Sequence, residues 1–417
     1  MATEFPRLLV ATEFPPNASG GGPAVVRQML KEWPTDRLFW WSCLPERRPA
    51  FSQRVAAHRV AIIPKKLYPH RKFCRQKSWL LENVWSRWAA HHFKQTIERY
   101  EPDIVWIIPH AWAIPALATT LPRSTIGFHT TVQDYIDSHI NISKLGSERC
   151  GRLASAMTDL YAQSTTRDAT SHPMIDDLQK KTQQSAAQML HAGLEPRDFE
   201  LLSAKSERIG EPIRIGYAGT IIAEETFALF VSALQELRRA PSQKRQVELH
   251  FFSDHSYRTH QWFDPAWMTE NGELPDAELS DRLRKCTWGF APMDLTDDNP
   301  QYNRFSFPTK FITYLAAGLP ILALGHRQSS VIKMARVYNV GLCSEATTVS
   351  ELTHALRAAF SMRSPYEIYA EEIARCARAE FDAMKMRKTL YGCFDQCVLA
   401  TRKGRRFTNL RPSESLV

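Results

Sequence analysis

The stretch "FSFPTKFITYLAAGLPILALG", Phe305 to Gly325, decides how the chain is read. Pro308 suits the first position of a helix, where its missing N–H is one the helix leaves unpaired anyway. Gly318 ends that helix, and Pro320 blocks its continuation. Between them "FITYLAA" offers an apolar packing surface, and "ILALG" reads as a buried strand. The residue out of keeping is Lys310. It falls in the first helical turn, where the aligned peptide dipoles are already positive, so a cation there loses up to about 1 kcal/mol. A diphosphate held by Lys310 and the unpaired first-turn N–H groups would reverse that loss, since each charge-assisted hydrogen bond contributes roughly 1.5–3 kcal/mol. The alternative is that Lys310 runs its ammonium out to water along its own aliphatic stem.

The same loop, helix and strand rhythm extends in both directions. Short apolar runs at Arg7–Thr12, "LFWWSC", "VAIIP", Ile104–Pro109, Ser124–His129 and Leu160–Ser164 alternate with helical patterns such as "AVVRQMLKEW". After the polar stretch "LSAKSERIGEP" the rhythm restarts with Ile213–Gly219, Val247–Ser253 and Trp288–Met293. Alternation of this kind specifies parallel sheets wrapped by helices. The expected fold is therefore α/β, with two doubly wound, Rossmann-like domains facing each other across a cleft. The expected boundaries are 1–206 for the first domain, 207–375 for the second, 376–402 for a C-terminal helix crossing back to the first, and 403–417 for a basic tail.

A chain of 417 residues, 44% hydrophobic and 23% charged, is long enough for two such cores. Its first ten residues do not read as a signal peptide, and no run approaches the ~18 apolar residues of a spanning helix. The expected location is cytoplasmic, and peripheral at the inner face of the membrane. Eight cysteines without CxxC pairs suit reduced thiols, which makes the sequons at Asn17 and Asn141 incidental. The net charge of +9 is unevenly spread: Lys65, Lys66, Arg71, Lys72, Arg75 and Lys77 follow one another with no acid between. Such a run favours anionic partners or simply solvates a face.

Ligands of doubly wound sheets sit beyond the carboxyl ends of the strands. After the first strand, Gly20–Gly22 open a helix, so backbone can approach a ligand and first-turn N–H groups can point at it. After "IRIGYA", Gly219 and Thr220 repeat the device with one hydroxyl added. Either turn also serves as plain connection between strand and helix.

Taken together, these segments resemble the GT-B glycosyltransferases, and specifically the retaining group 4 branch with its glycogen-synthase-like donor motif, "FPxKxxEYLAAGxPVxA". "RLLVATEFPPNASGGGPAVVRQM" is similar to that group's glycine-rich first loop, "IGFHTTVQD" to its strand ending in histidine, and "GYAGTI" to its second-domain entry. The resemblance spans roughly residues 7 to 360. It implies a nucleotide-diphospho-sugar donor, bound as substrate with no separate cofactor, and a glycan or lipid-linked acceptor bound by the first domain. Gly21 and Gly22 would approach the diphosphate and acceptor, and His129 would sit by the transferred sugar as a catalytic residue alongside Lys310. Gly219 and Thr220 would hold phosphate, Phe307, Pro308 and Thr309 would line the helix entry, and Lys310 would neutralise the leaving diphosphate.

The sequence departs from the group at two places. Thr313 stands where a ribose-binding Glu is usual, and "GTIIAEET" lacks the cation that often follows the glycine turn, which makes Arg304 the expected substitute. Asp294, Asp297 and Asp298 suit either a carboxylate site or a solvated loop; no metal is expected, because the resemblance implies helix dipoles and basic side chains in its place. The stretch from Lys65 onward interleaves bases with Tyr68, Phe73, Trp79, Trp85 and Trp88, the composition of a surface lying on an anionic membrane. No nucleic-acid motif accompanies it. A catalytically silent glycan-binding partner, or an epimerase or hydrolase acting on sugar nucleotides, would use the same fold.

Overall fold

A computed structural model describes residues 5–18, 20–45, 56–68, 72–135, 146–202, 212–240, 245–362 and 364–409, the side chains of 276–277 and 404–409 excepted. The chain divides into two compact units, the first made of Met1–His191 with Lys385–Val417 and the second of Ala192–Met384. The expected joint near residue 207 lies outside the described residues, as do Arg71, Asn141 and the end of the basic tail.

In the first unit six parallel strands, β1 Leu8–Thr12, β2 Leu38–Ser42, β3 Ala57–Val60, β4 Ile104–Ile108, β5 Phe128–Val132 and β6 Thr166–Ala169, are ordered β3-β2-β1-β4-β5-β6. Helices α1 Gly21–Met29, α2 Cys74–Leu80, α3 Ser86–Tyr100, α4 Ala113–Thr120, α5 Ser147–Gln163 and α6 His172–Thr182 connect them. Buried on both faces, β1 and β4 read as unbroken apolar runs. Three strands differ from expectation. Strand β3 spans Ala57–Val60, so it ends where the expected run "VAIIP" begins. The strand expected at Ser124–His129 is shifted toward the C-terminus, so β5 begins at Phe128 and its carboxyl end is Val132–Gln133. The strand expected at Leu160–Ser164 is the last turn of α5, whose buried Cys150, Leu153, Met157, Leu160 and Tyr161 follow helical spacing.

The second unit repeats the plan with β7 Ile213–Ala218, β8 Val247–Phe252, β9 Met268–Glu270, β10 Trp288–Pro292, β11 Ile321–Leu324 and β12 Gly341–Ser344, ordered β12-β11-β10-β7-β8-β9 and all parallel. Its helices are α7 Pro196–Leu202, α8 Glu224–Arg239, α9 Asp276–Leu283, α10 Pro300–Phe305, α11 Thr309–Ala316, α12 Ser330–Tyr338, α13 Val349–Phe360 and α14 Pro365–Glu380. Fully buried rings of Tyr217, Phe227, Phe230, Phe251 and Phe290 fill the core, and Phe230 stacks on Phe290 at 3.7 Å.

The final helical stretch breaks at Phe381–Asp382, where Leu194 N–H donates to the Phe381 carbonyl (2.6 Å) and Ala383 N–H to that of Leu194 (3.1 Å). Beyond the break, α15 Ala383–Asn409 packs within the first unit. Gly127 N–H donates to Thr401 Oγ1 (2.8 Å), and a Cβ on Gly127 would meet the Cys397 carbonyl oxygen at 2.3 Å. Only glycine permits that helix to lie directly on the chain before β5. None of the described cysteines forms a disulfide. No helix among the described residues is long and apolar enough to cross a membrane.

Candidate functional site

In each sheet the strand order reverses at the first strand, β1 in one unit and β7 in the other, so each crevice opens at that strand's carboxyl end. In the second unit β7 delivers Gly219 there with φ of +86°, a backbone region open chiefly to glycine. The turn brings the Thr220 carbonyl back over the strand, where it accepts from the Tyr217 hydroxyl (2.8 Å).

Helix α11 supplies the cation. Its docking depends on Tyr314, whose fully buried hydroxyl donates to the Phe290 carbonyl and accepts from Ala218 N–H, both at 3.0 Å. The ring occupies the space that the absent side chain of Gly289 leaves, since a Cβ there would lie 2.4 Å from Tyr314 Cγ. Four residues earlier, and so on the same helical face, stands Lys310. Its Nζ donates to the Tyr217 hydroxyl (2.6 Å) and the Thr220 carbonyl (3.3 Å), and lies 4.0 Å from the Tyr217 ring centroid. Two sequence motifs ninety residues apart are thereby joined in one site. Among the described residues no carboxylate pairs with Lys310, and burial pushes its ammonium down to about 7.

The remaining predicted residues of this unit are arranged around it. Helix α11 begins at Thr309, with Pro308 as its cap in extended conformation (ψ 130°) rather than its first helical residue, and no side chain caps it. The first-turn amides thus lack a side-chain acceptor. Phe307 is buried against Phe311 and Phe381, with ring centroids 5.1 and 5.7 Å away, so its ring belongs to the core. Thr313 donates back to the Thr309 carbonyl (3.2 Å). Arg304 is ion-paired with Asp297, whose carboxyl it holds below the usual range. Burial, with Glu225 and Asp298 nearby, pushes the Asp294 carboxyl up. Among the described residues no three His, Cys, Asp or Glu side chains gather as a metal-binding group.

In the first unit, Gly20 (φ +103°) turns the chain into α1, and Gly21 and Gly22 form its first turn. Arg27 pins the preceding loop by donating to the carbonyls of Ala18 (2.6 Å) and Pro16 (3.3 Å). Facing the glycines from the end of β5 is Gln133, which sequence reasoning missed. Its Nε2 donates to the Gly22 carbonyl (3.2 Å), while its Oε1, though the side chain is 94% buried, carries no hydrogen bond. A Cβ on Gly22 would come within 2.4 Å of that oxygen. At the adjoining end of β4, Ala111 holds φ of +28°, a conformation that costs a non-glycine residue energy. His129 lies deeper. It is fully buried, with Nδ1 against Thr166 Oγ1 (2.8 Å), Nε2 against Asp168 Oδ2 (3.0 Å), and its ring edge-on to Phe394. Because β5 runs three residues past His129, the open strand end belongs to Gln133.

By sequence, the chain matches no protein-family model and no curated relative. Its backbone is similar to that of sucrose-phosphate synthase from Thermosynechococcus elongatus (TM-score 0.66, 11% identity, 94% of this chain and 100% of that one). It is similar too to α,α-trehalose 6-phosphate synthase from Burkholderia multivorans (0.61, 12%, 99% and 100%). A third likeness is to HepE from Anabaena, solved with UDP and glucose (0.62, 11%, 93% and 99%). The chain has the GT-B fold. Within that fold, Gly219 and Lys310 stand where β7 meets α11, and the glycine-rich turn of β1 holds the matching place in the other unit.

Proposed function

We propose that this GT-B protein is a glycosyltransferase that moves a hexose from a nucleotide-diphospho-sugar to a glycan or lipid-linked acceptor, with retention of anomeric configuration. The observation that carries the reading is Lys310, a partly buried cation at a helix start, over a glycine turn and without a carboxylate partner. Burying a cation without a counter-ion is costly, and a diphosphate would supply the missing charge. The HepE structure holding UDP and glucose on the same fold supports a nucleoside-diphosphate donor.

In this reading the Gly219–Thr220 turn and the free amides of Thr309 and Lys310 hold phosphate oxygens, with Lys310 Nζ on the oxygen that leaves. The acceptor oxygen forms its bond to C1 on the face from which the C1–O(phosphate) bond breaks, and the departing phosphate takes the acceptor's proton. Lys310 stabilises the charge that develops on that phosphate, so its contribution is greatest in the transition state. Gly21 and Gly22 approach the ligand on the acceptor side. His129 acts as a positioning residue, holding β5 against β6 through Asp168 and Thr166. The basic stretch of the same unit turns toward an anionic surface.

Thermal unfolding in the presence of UDP, GDP, ADP and TDP tests the donor class. The nucleotide that binds should add about 2.7 kcal/mol at 100 times its dissociation constant. Lys310→Ala should abolish that gain; unchanged donor affinity in both Lys310→Ala and Arg304→Ala would sink the reading. Thr313→Glu restores a carboxylate for ribose hydroxyls and should tighten nucleotide binding, whereas unchanged binding would mean that the ribose is held elsewhere. A catalytically silent partner is favoured by one observation, the commitment of Arg304 to Asp297. Slow donor hydrolysis without acceptor, measured as released nucleotide, separates an enzyme from a silent subunit.

A further inference from the structure

Exposed apolar side chains in the first unit are not scattered. Phe73 (69% exposed), Leu80 (38%), Val84 (55%) and Trp88 (49%) recur at helical intervals along α2 and α3, and Trp79 (53%) flanks them. Between the two helices Leu81–Trp85 forms a π-helical turn. The wider turn absorbs part of the rotation a regular helix would make, and keeps Val84 and Trp88 in line with Phe73 and Leu80. Phe73 itself stands ahead of α2 in left-handed conformation, φ +66°, an uncommon state for a bulky residue. Trp85 turns inward and ties the segment carrying exposed Ile62 to this face by donating to the Ile62 carbonyl (3.1 Å).

Charge follows the same line. Lys65, Lys66, Lys72, Arg75 and Arg87 are exposed around the stripe. The single acid between residues 72 and 88 is Glu82, which is clasped by Arg149 and Arg152 of α5 at 2.7 Å each and held below the usual carboxylate range. An open recess lined by Arg75, Gln76, Trp79, Leu80 and Arg149 adjoins the stripe.

We propose that the ridge of Phe73, Leu80, Val84 and Trp88 is a membrane-docking surface that lies in the interface of an anionic phospholipid bilayer. Rings and aliphatic tips enter the acyl boundary, and the surrounding lysines and arginines stay at headgroup level, with exposed Arg75 placed to meet a lipid phosphate at the recess. Charge complementarity selects this occupant: a neutral protein partner would use the apolar stripe but not the bases, and a nucleic acid would use the bases but not Phe73, Leu80 and Val84. The proposal rests on the acceptor reading of the first unit only for what the contact is for. Binding is measured without sugar transfer, so either reading can fail alone.

The test is co-sedimentation of the full chain with vesicles of 3:1 phosphatidylcholine and phosphatidylglycerol, against phosphatidylcholine alone, across a salt series. Binding should require the anionic lipid and weaken with salt. Lys72→Gln, Arg75→Gln and Lys77→Gln together should lower the partition coefficient about 100-fold, and Phe73→Ser with Trp88→Ser about tenfold or more. Both sets change exposed or partly exposed side chains, and an unchanged thermal midpoint shows that each variant folds. Quenching of Trp79 and Trp88 by brominated lipid, lost in Trp79→Phe/Trp88→Phe, reports insertion. Absence of sedimentation with anionic vesicles at low salt overturns the proposal. So does anionic binding that the Phe73 and Trp88 changes leave intact, because the contact is then purely electrostatic. A concentration-dependent dimer abolished by the same two changes also overturns it, in favour of a second copy of the chain.

Discussion

The turns at Gly219 and at Gly20–Gly22 occupy the same place in their two sheets, each following the strand where the order reverses and each opening toward a helix start, yet they are furnished oppositely. Over Gly219 stands a cation, Lys310, held by a phenol and a carbonyl. Over Gly22 stands a neutral amide, Gln133, with one oxygen unused. One repeated fold unit has thus been given to charge and the other to hydrogen bonding. The proposed diphosphate would match the first, and sugar hydroxyls the second.

Removing the charge should break the comparison most. Lys310→Ala is expected to lower transfer by about 10²–10³, the scale on which losing one pre-placed electrostatic group acts, while stability without ligand stays level. Lys310→Met should even raise the unfolding midpoint of the free protein, because it keeps the stem and removes a partly buried cation that has no carboxylate partner among the described residues. Scanning calorimetry with and without nucleotide reads both halves. A large loss of stability in Lys310→Met would mean that the ammonium serves the fold and not a ligand.

Next comes the support of that cation. In Gly289→Ala the new Cβ meets the Tyr314 ring at 2.4 Å, and the ring is fixed at its hydroxyl to Ala218 and Phe290, so α11 must lift from the sheet. Overpacking of this kind costs about 1–3 kcal/mol. Nucleotide affinity should fall with it, although Gly289 lies under the helix and makes no ligand contact. Retained affinity would separate Lys310 from the docking of its helix.

The charge also fixes a pH dependence. Burial pushes the Lys310 ammonium of the free protein down to about 7, against 10.5 for an ordinary lysine. The proposed diphosphate would require its protonated form, so nucleotide affinity should fall about tenfold per pH unit above 7 and level off below it. Stability without ligand moves the other way. The folded state binds fewer protons than the unfolded one between pH 7 and 10.5, so the burden of the buried charge is full below 7 and fades as pH rises through that window. Isothermal titration of nucleotide at several pH values reads the first slope, and Lys310→Met should flatten the second.

Much of this is legible in the sequence because parallel strands buried on both faces are continuous apolar runs, as at Ile104–Ile108 and Ile321–Leu324, and because a lysine in an apolar helix start conflicts with the dipole. Elsewhere the signal is missing. Strand β6, "TRDA", is polar yet fully inside: Arg167 donates to the Tyr161 carbonyl and to Gln184, and Asp168 meets His129, so partners invisible to periodicity make its burial affordable. The apolar run Leu160–Ser164 imitates a strand because it is the inward face of a helix turn. Gln133 carries no motif, and the register that brings it to the strand end places His129 in the core. Tyr217, the ring beneath Lys310, reads as one more core aromatic until α11 is docked over it.

The smallest expected effects sharpen the comparison at its glycines. Gly219 has open space where a Cβ would go but a φ of +86°, so Gly219→Ala should cost about 1–2 kcal/mol of backbone strain that no neighbour's trimming relieves. Gly22 is the reverse case, without a positive φ but with Gln133 Oε1 at 2.4 Å from the added carbon. Gly22→Ala should cost less, about 1 kcal/mol or below, because a flexible amide can swing aside. Gln133→Ala should relieve that cost, so the double variant is more stable than the sum of the singles predicts. Denaturant midpoints for the three variants decide it. Strict additivity would mean that Gly22 is required by the α1 backbone, and that the two turns resemble each other more closely than their side chains suggest.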